Sequence, residues 1–253
     1  MRKHLLLLLF TISSSLISLF AQPCYNDGHT LNLRGYVHSM RETTRGLHGH
    51  INGTPCEYVF NGVGNFDHIV VFDTFYNPTV RVDYKYDSMG LLSRDVRIQL
   101  STEQLILETS YMRDLRRHAI TADVFGVMDS TSFMEESFYD DDCNMVQHLV
   151  YDADKNVVYR TDHRYDRYGN CIEIDHFESA EDSYRFTERM RYDTEGNLID
   201  QCTYHLESLH QHLVFTYEFD EYRNWTRQYV YHITSSGAEL FKVVERTLTY
   251  YTD

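Results

Sequence analysis

At 253 residues with 14% aromatic side chains and only 3 Pro and 12 Gly, the chain is neither disordered nor collagen-like, and is long enough for one large domain or two small ones. Its formal net charge of −15 argues against binding nucleic acid or an anionic membrane surface. The 21 Tyr and 14 Phe favour pleated, half-buried strands, so an all-β fold is expected.

Residues 1–21 read as a cleavable secretory signal. Arg2, Lys3 and His4 give a basic start, an apolar stretch runs from Leu5 to Phe20, and Leu19-Phe20-Ala21 precedes Gln22. Ser13, Ser14, Ser15 and Ser18 make the stretch too polar and too short for a membrane span. Pro23 stands where a lipidated Cys24 would need a small residue, so no lipid anchor is expected. The mature chain is therefore expected in the periplasm, at the cell surface or outside the cell, with no transmembrane span. Losing the leader removes Arg2 and Lys3 but no acid, so the mature chain is more acidic still.

Residues 22–53 form an N-terminal segment with an opening strand at Gly35 to Glu42. Five cysteines follow the leader: Cys24, Cys56, Cys143, Cys171 and Cys202. Disulfides are permitted in an exported chain, an odd count leaves one thiol over, and Cys24–Cys56 is the candidate bridge. No CxxC or mixed Cys/His motif marks a zinc site.

Residues 54–253 carry seven repeats and a closing strand. Asn61, Asp87, Asp114, Asp140, Asp166, Asp193 and Asp220 recur every 26 or 27 residues. Good copies read Arg164-Tyr-Asp-Arg-Tyr-Gly-Asn170 and Arg191-Tyr-Asp-Thr-Glu-Gly-Asn197. The Asp can accept a hydrogen bond from the backbone two residues on. Gly64, Gly90, Gly169 and Gly196, three residues later, supply positive φ. Arg117, Cys143 and Arg223 replace that Gly elsewhere, and Asn65, Asn144, Asn170, Asn197 and Asn224 follow it. The pattern predicts a type I turn closed by a left-handed residue.

Before each turn stand Phe60, Tyr86, Tyr139, Tyr165, Tyr192 and Phe219, with Arg113 the exception. Five residues after the repeat Asp or Asn comes an apolar position that includes Phe66, Leu92 and Trp225. Eleven after it come Phe72, Ile98, Phe125, Tyr151, Phe177, Tyr204 and Tyr231. All three offsets are odd, so one buried face is expected, with Arg97, His148, Gln201 and Gln228 on the other. The expected fold is an antiparallel meander of two-stranded hairpins forming a twisted or curled sheet that can close in part. Glu103 to Ala119 also fits an amphipathic helix, although the repeat register favours strands.

The Tyr-x-Tyr-Asp-x-x-Gly-Asn pattern over residues 54 to 233 resembles the YD repeats of the Rhs family. That resemblance implies β-sheet repeats in cell-surface or secreted bacterial proteins. It implies no activity, because no Rhs core motif and no effector domain accompany the repeats.

No catalytic or metal constellation emerges, and no cofactor is expected. Asp140 to Asn144 and Asp152 to Asn156 open like calcium loops, but Met145 and Val157 stand where such a loop needs Gly. They read as turns. His205, His210 and His212 read as exposed strand or loop residues. Trp225 falls in the apolar register and reads as core rather than as a sugar platform. Charge on both strand faces argues against a lipid-embedded barrel. The sequence thus points to an exported, non-enzymatic module that binds a glycan or a surface protein. A secreted carbohydrate-active hydrolase and a structural envelope component are the alternatives.

Overall fold

The structure is a computed structural model that describes residues 27–46, 49–51, 53–127, 130–178 and 183–252. The expected leader and Cys24 lie outside the described residues. Among the described residues a four-residue helix, α1 (Asp27–Thr30), precedes sixteen strands. The first eight are β1 (Val37–Gly46), β2 (Cys56–Phe60), β3 (Phe66–Phe72), β4 (Pro78–Tyr86), β5 (Leu92–Gln99), β6 (Gln104–Asp114), β7 (Ala119–Gly126) and β8 (Ser132–Tyr139). The rest are β9 (Met145–Tyr151), β10 (Val157–Tyr165), β11 (Cys171–Glu178), β12 (Ser183–Tyr192), β13 (Leu198–His205), β14 (Ser208–Phe219), β15 (Trp225–Thr234) and β16 (Gly237–Tyr250).

Each strand pairs antiparallel with the next, and β16 pairs back onto β1 from Val37 opposite Tyr250 to Gly46 opposite Lys242. The expected curled sheet is therefore a closed barrel. Among the described strands closure leaves no edge unpaired, which removes the usual template for edge-to-edge association. The segment that also fits a helix forms strand β6 and the turn after it.

A bulge follows six of the seven repeat turns and decides what faces where. In β2–β3, Phe60 pairs with Phe66 but Val59 pairs with His68, so Asp67 is an extra residue. Ser93, Val146, Ile172, Ile199 and Thr226 hold the same place in the later hairpins. One inserted residue reverses the inside–outside alternation of everything after it. The expectation of one aromatic face is thereby corrected. In the six bulged hairpins the residue five after the Asp or Asn points inward and the residue eleven after it points outward, so the Phe177 and Tyr204 rings lie beneath outward-facing Arg160 and Arg189. The third hairpin has no bulge, and there Ala119 and Phe125 share the outward parity, with Phe125 exposed.

The same reversal turns Arg97, His148, Gln201 and Gln228 into the barrel. One registered inward row runs Met40, Tyr58, Ile69, Val82, Arg97, Leu107, Gly126, and every member is buried. Met40, Tyr58, Phe60, Phe66 and Ile69 form the largest apolar cluster, with Leu248 and Tyr250 closing it across the β1–β16 seam. A second cluster holds Ile120, Tyr139 and Met145, and a third Leu213, Phe215 and Val230.

Phe219 departs from its expected place in the core: it is 45% exposed at the rim. Tyr165 and Tyr192, at the same repeat position, anchor inward by donating to the carbonyls of Met145 and Cys171, each at 2.9 Å. Phe219 has no hydroxyl to do so, and Tyr217, two residues earlier, donates to the Leu198 carbonyl instead. The candidate Cys24–Cys56 bridge does not form: Cys56, Cys171 and Cys202 are free, and the disulfide belongs to Cys143.

Candidate functional site

The repeat signature builds one mouth of the barrel. In the turns from Asn61, Asp87, Asp140, Asp166, Asp193 and Asp220 the first side-chain oxygen accepts the backbone N–H groups two and four residues on. The residue three on has positive φ, whether glycine, as at Gly64, Gly90, Gly169 and Gly196, or Cys143 and Arg223. The asparagines link neighbouring turns. Asn65 donates to the Gly90 carbonyl at 3.4 Å, and Asn170 Oδ1 lies 3.6 Å from where a Cβ on Gly196 would sit. Signature residues thus meet between repeats as well as within them, an arrangement that sequence spacing does not reveal.

The segment from α1 to β1 straps this mouth. Asp27 accepts hydrogen bonds from the Phe66 N–H at 2.8 Å and the Tyr86 hydroxyl at 2.7 Å. Burial raises its carboxyl to about 6 despite both donors. Farther along, Arg34 N–H donates to Asn224 Oδ1 at 2.7 Å, and Asn224 Nδ2 returns a bond to the Arg34 carbonyl at 2.8 Å. Asn32 reaches Asn197 and the Glu195 carbonyl. The strap therefore spans from β3 and β4 to the β14–β15 turn.

The two calcium-like segments are closed turns. Asp140 Oδ2 accepts the Asn144 amide, and Asp152 at the opposite mouth is held in the same way by Asn156.

Inside the barrel lies a polar seam that includes Arg97 and His148, both expected on the face away from the core. Asp95 and Arg97 stand 3.8 Å apart on β5, with the Tyr111 hydroxyl donating to Asp95 at 2.7 Å. Glu135 on β8 faces His148 on β9 at 3.9 Å, and His148 Nδ1 meets the Ser137 hydroxyl at 3.0 Å. His163 and His176 continue the seam to Glu188, which is 3.5 Å from His176 and also accepts the Gln201 amide. Burial pushes the Glu135 carboxyl up to about 8 and the His148 imidazole down to about 4, so both are neutral at pH 7. Two carboxyls raised by burial, Asp95 and Glu135, are what a hydrolase would need. At 1% and 2% exposed, however, neither can touch a polymeric substrate without a strand moving aside. A second inward pair, Glu42 and Arg246 at 2.9 Å, lies against Trp225, whose ring is 3.5 Å below the Arg246 guanidinium. That contact takes up the ring face a stacked sugar would need.

On the outer wall, where β1, β15 and β16 meet, a groove of about 290 Å³ is lined by Arg45, Arg227, Tyr229, Lys242 and Glu245. Glu245 bridges the two arginines at 2.8 and 2.9 Å. Arg45 also donates to the Tyr76 hydroxyl, and Tyr229 donates to Glu218 at 2.6 Å. Arg227 also meets Glu218 at 3.4 Å, so two outward arginines are matched by two carboxylates, while Lys242, opposite buried Val230, stands at inward parity. None of these residues belongs to the repeat signature, so repeat analysis could not single them out. The signal available was that Arg227, Tyr229, Lys242 and Glu245 lie in the last two strands, past the seventh signature turn.

No family model matches the chain, and no curated protein matches it. Among solved structures it is similar to a porin-like protein of Bacteroides uniformis, at 10% identity and a TM-score of 0.59, over 84% of this chain and 98% of that one. This likeness supports the barrel fold. A porin-like protein of Bacteroides vulgatus aligns at 12% identity and a TM-score of 0.39, over 86% of this chain and 99% of that one. A Tc holotoxin pore of Photorhabdus luminescens aligns at 10% identity and a TM-score of 0.30, over 83% of this chain but 16% of that one.

Proposed function

We propose that the chain is an exported, water-facing β-barrel that binds a glycan in the groove between Arg45, Arg227 and Tyr229. The observation that carries this reading is the groove itself. It places two arginines and the Tyr229 ring around a recess of about 290 Å³, a volume suited to one or two sugar rings. A guanidinium offers paired donors to a carboxylate, and a tyrosine offers a flat apolar face with a polar edge.

The outer wall supports a water-facing barrel over a bilayer pore. Outward ion pairs occur at Arg41–Glu57, Arg81–Asp83, Arg94–Glu108, Arg160–Asp162, Arg189–Glu173 and Arg227–Glu245. A basic side chain facing lipid at mid-membrane costs about 2–4 kcal/mol, and this wall offers no uninterrupted apolar band. The YD-like repeats fit the same reading, as scaffold rather than as site.

The test uses the mature chain, purified without detergent, on an array of neutral and acidic oligosaccharides and in flotation with liposomes. Saturable binding of a glycan, weakened in Arg45→Ala and Arg227→Ala but not in Arg94→Ala, is the expected result. Insolubility without detergent, with insertion into liposomes, would overturn the reading. So would binding that ignores both groove substitutions.

A further inference from the structure

The outer wall carries a second cluster on β13 and β14, outside the groove lining. Asp200 and Cys202 are two residues apart on β13 and share its outward face, and His212 on β14 stands directly opposite Cys202. Asp200 Oδ2 is 2.9 Å from His212 Nε2, and Asp200 Oδ1 is 3.8 Å from Cys202 Sγ. One ligand atom from each residue lies within 4.8 Å of the other two, and this is the one such triple among the described residues.

We propose that Asp200, Cys202 and His212 form a binding site for a borderline-soft divalent cation, zinc being the ion they suit best. Zinc bonds of about 2.0–2.3 Å to O, N and S put tetrahedral ligand atoms roughly 3.3–3.8 Å apart. The Asp200–Cys202 separation meets that range and the three ligand atoms all lie within 4.8 Å of one another, so side-chain rotations of about an ångström close the site without moving either strand. The donor set also discriminates. Calcium and magnesium take oxygen ligands, whereas a sulfur and an imidazole beside one carboxylate favour zinc and its neighbours.

The surroundings resemble the support of a metal site. Arg191, across from Asp200 on β12, donates to Oδ2 at 2.9 Å. This fixes the carboxylate plane and leaves Oδ1 directed at the thiol. Outer partners of this kind orient the ligands that touch a metal. Cys202 is a free thiol, and it and His212 are half-buried, so the fourth coordination position is left to water or a ligand. The lumenal histidines compare poorly: His148, His163 and His176 lie in the wall at successive strands and gather no third ligand atom.

The mature chain, freed of metal with a chelator, is titrated with zinc chloride by calorimetry and with cobalt chloride by absorption. The expected result is saturation at one metal per chain and a thiolate-to-cobalt charge-transfer band. Losing an orienting partner alone costs about 10- to 100-fold in affinity. Cys202→Ser and His212→Ala should therefore weaken zinc binding at least a hundredfold and abolish the band, while Cys171→Ser keeps both. Alkylation of the unsubstituted protein gives a readout that needs no variant. Zinc should slow iodoacetamide labelling of Cys202 at least tenfold and leave Cys56 and Cys171 unchanged. No saturable binding, a band that survives Cys202→Ser, or equal labelling with and without zinc would overturn the proposal.

Discussion

The Tyr192 hydroxyl donates to the carbonyl of Cys171 at 2.9 Å, from one repeat back to the one before it, and Tyr165 does the same to Met145. This bond explains why a repeat position that apolar packing alone could fill is so often tyrosine. A net intramolecular hydrogen bond contributes about 1 kcal/mol, and more is lost when a buried acceptor is left bare. Tyr192→Phe should therefore lower stability by about 1–2 kcal/mol. Phe219→Leu, at the same repeat position but exposed on the rim, should cost less than about 0.5 kcal/mol. Urea denaturation of the two variants side by side checks this; equal losses would show that the hydroxyl is not what anchors the ring.

Much of the scaffold was legible because turn chemistry is local. The positive φ at Gly169 and at Cys143, and the hydrogen bonds to Asp166 and Asp140, follow from residues within five positions of each other. The facing of the strands was not legible, because it depends on one extra residue per hairpin. Ile172 and Thr226 look like ordinary strand residues, yet each shifts the register and sends His176 or Gln228 inward. Strand parity counted straight through a bulge assigns every later side chain to the wrong face. Closure was equally hidden, since the pairing of Thr44 with Val244 joins positions two hundred residues apart.

The turn position three after the Asp offers a test in both directions. Gly196 has φ of +81°, and an added Cβ would sit 3.6 Å from Asn170 Oδ1, so space is adequate and the cost is conformational. Left-handed backbone costs an L-residue about 1–2 kcal/mol, and Gly196→Ala should lose about that much. Lys155 already occupies such a position at φ 64° in an exposed turn. Lys155→Gly should relieve that strain and, after the entropy of the freer unfolded chain, gain a few tenths to about 1 kcal/mol. Opposite shifts in Tm are the expected outcome, and a fall in both would contradict it.

Glu42 and Arg246 make the buried ion pair nearest the closing seam, with Arg246 stacked on the only tryptophan. Burial already pulls the Arg246 guanidinium below its ordinary pKa, and Glu42 is the principal group opposing that. Removing the carboxylate leaves a buried cation unpaired, a change that costs about 3–5 kcal/mol. Glu42→Ala should therefore destabilise strongly, whereas Glu57→Ala, which breaks an exposed pair with Arg41, should cost about 0–1 kcal/mol. Trp225 fluorescence during denaturant unfolding reports both. Similar midpoints for the two variants would mean that the lumenal pair is hydrated and unimportant.

The lumenal seam predicts how stability depends on pH. Glu135 titrates near 8 in the folded barrel against an ordinary 4.5, so between these values the folded state holds a proton that the unfolded chain has released. Stability contributed by Glu135 is therefore greatest at low pH and falls as pH rises through that window. His148 works the other way. Its folded value is pushed down to about 4 from an ordinary 6.5, chiefly by burial and then by the charge of His163, so stability falls as pH drops from 6.5 toward 4. His163 is lowered to about 4 and acts in the same direction. From 4.5 to about 6 the two histidines are offset by Glu135 together with Asp27, whose carboxyl burial raises to about 6, and between 6.5 and 8 Glu135 acts without the histidines. There the barrel should lose roughly 1 kcal/mol per pH unit. Glu135→Gln, which fixes the neutral form, should abolish that loss and uncover the histidine slope on the acid side. Urea midpoints at pH 5, 6.5 and 8 distinguish the cases, and parallel profiles for the two proteins would show that Glu135 keeps an ordinary carboxylate in the fold.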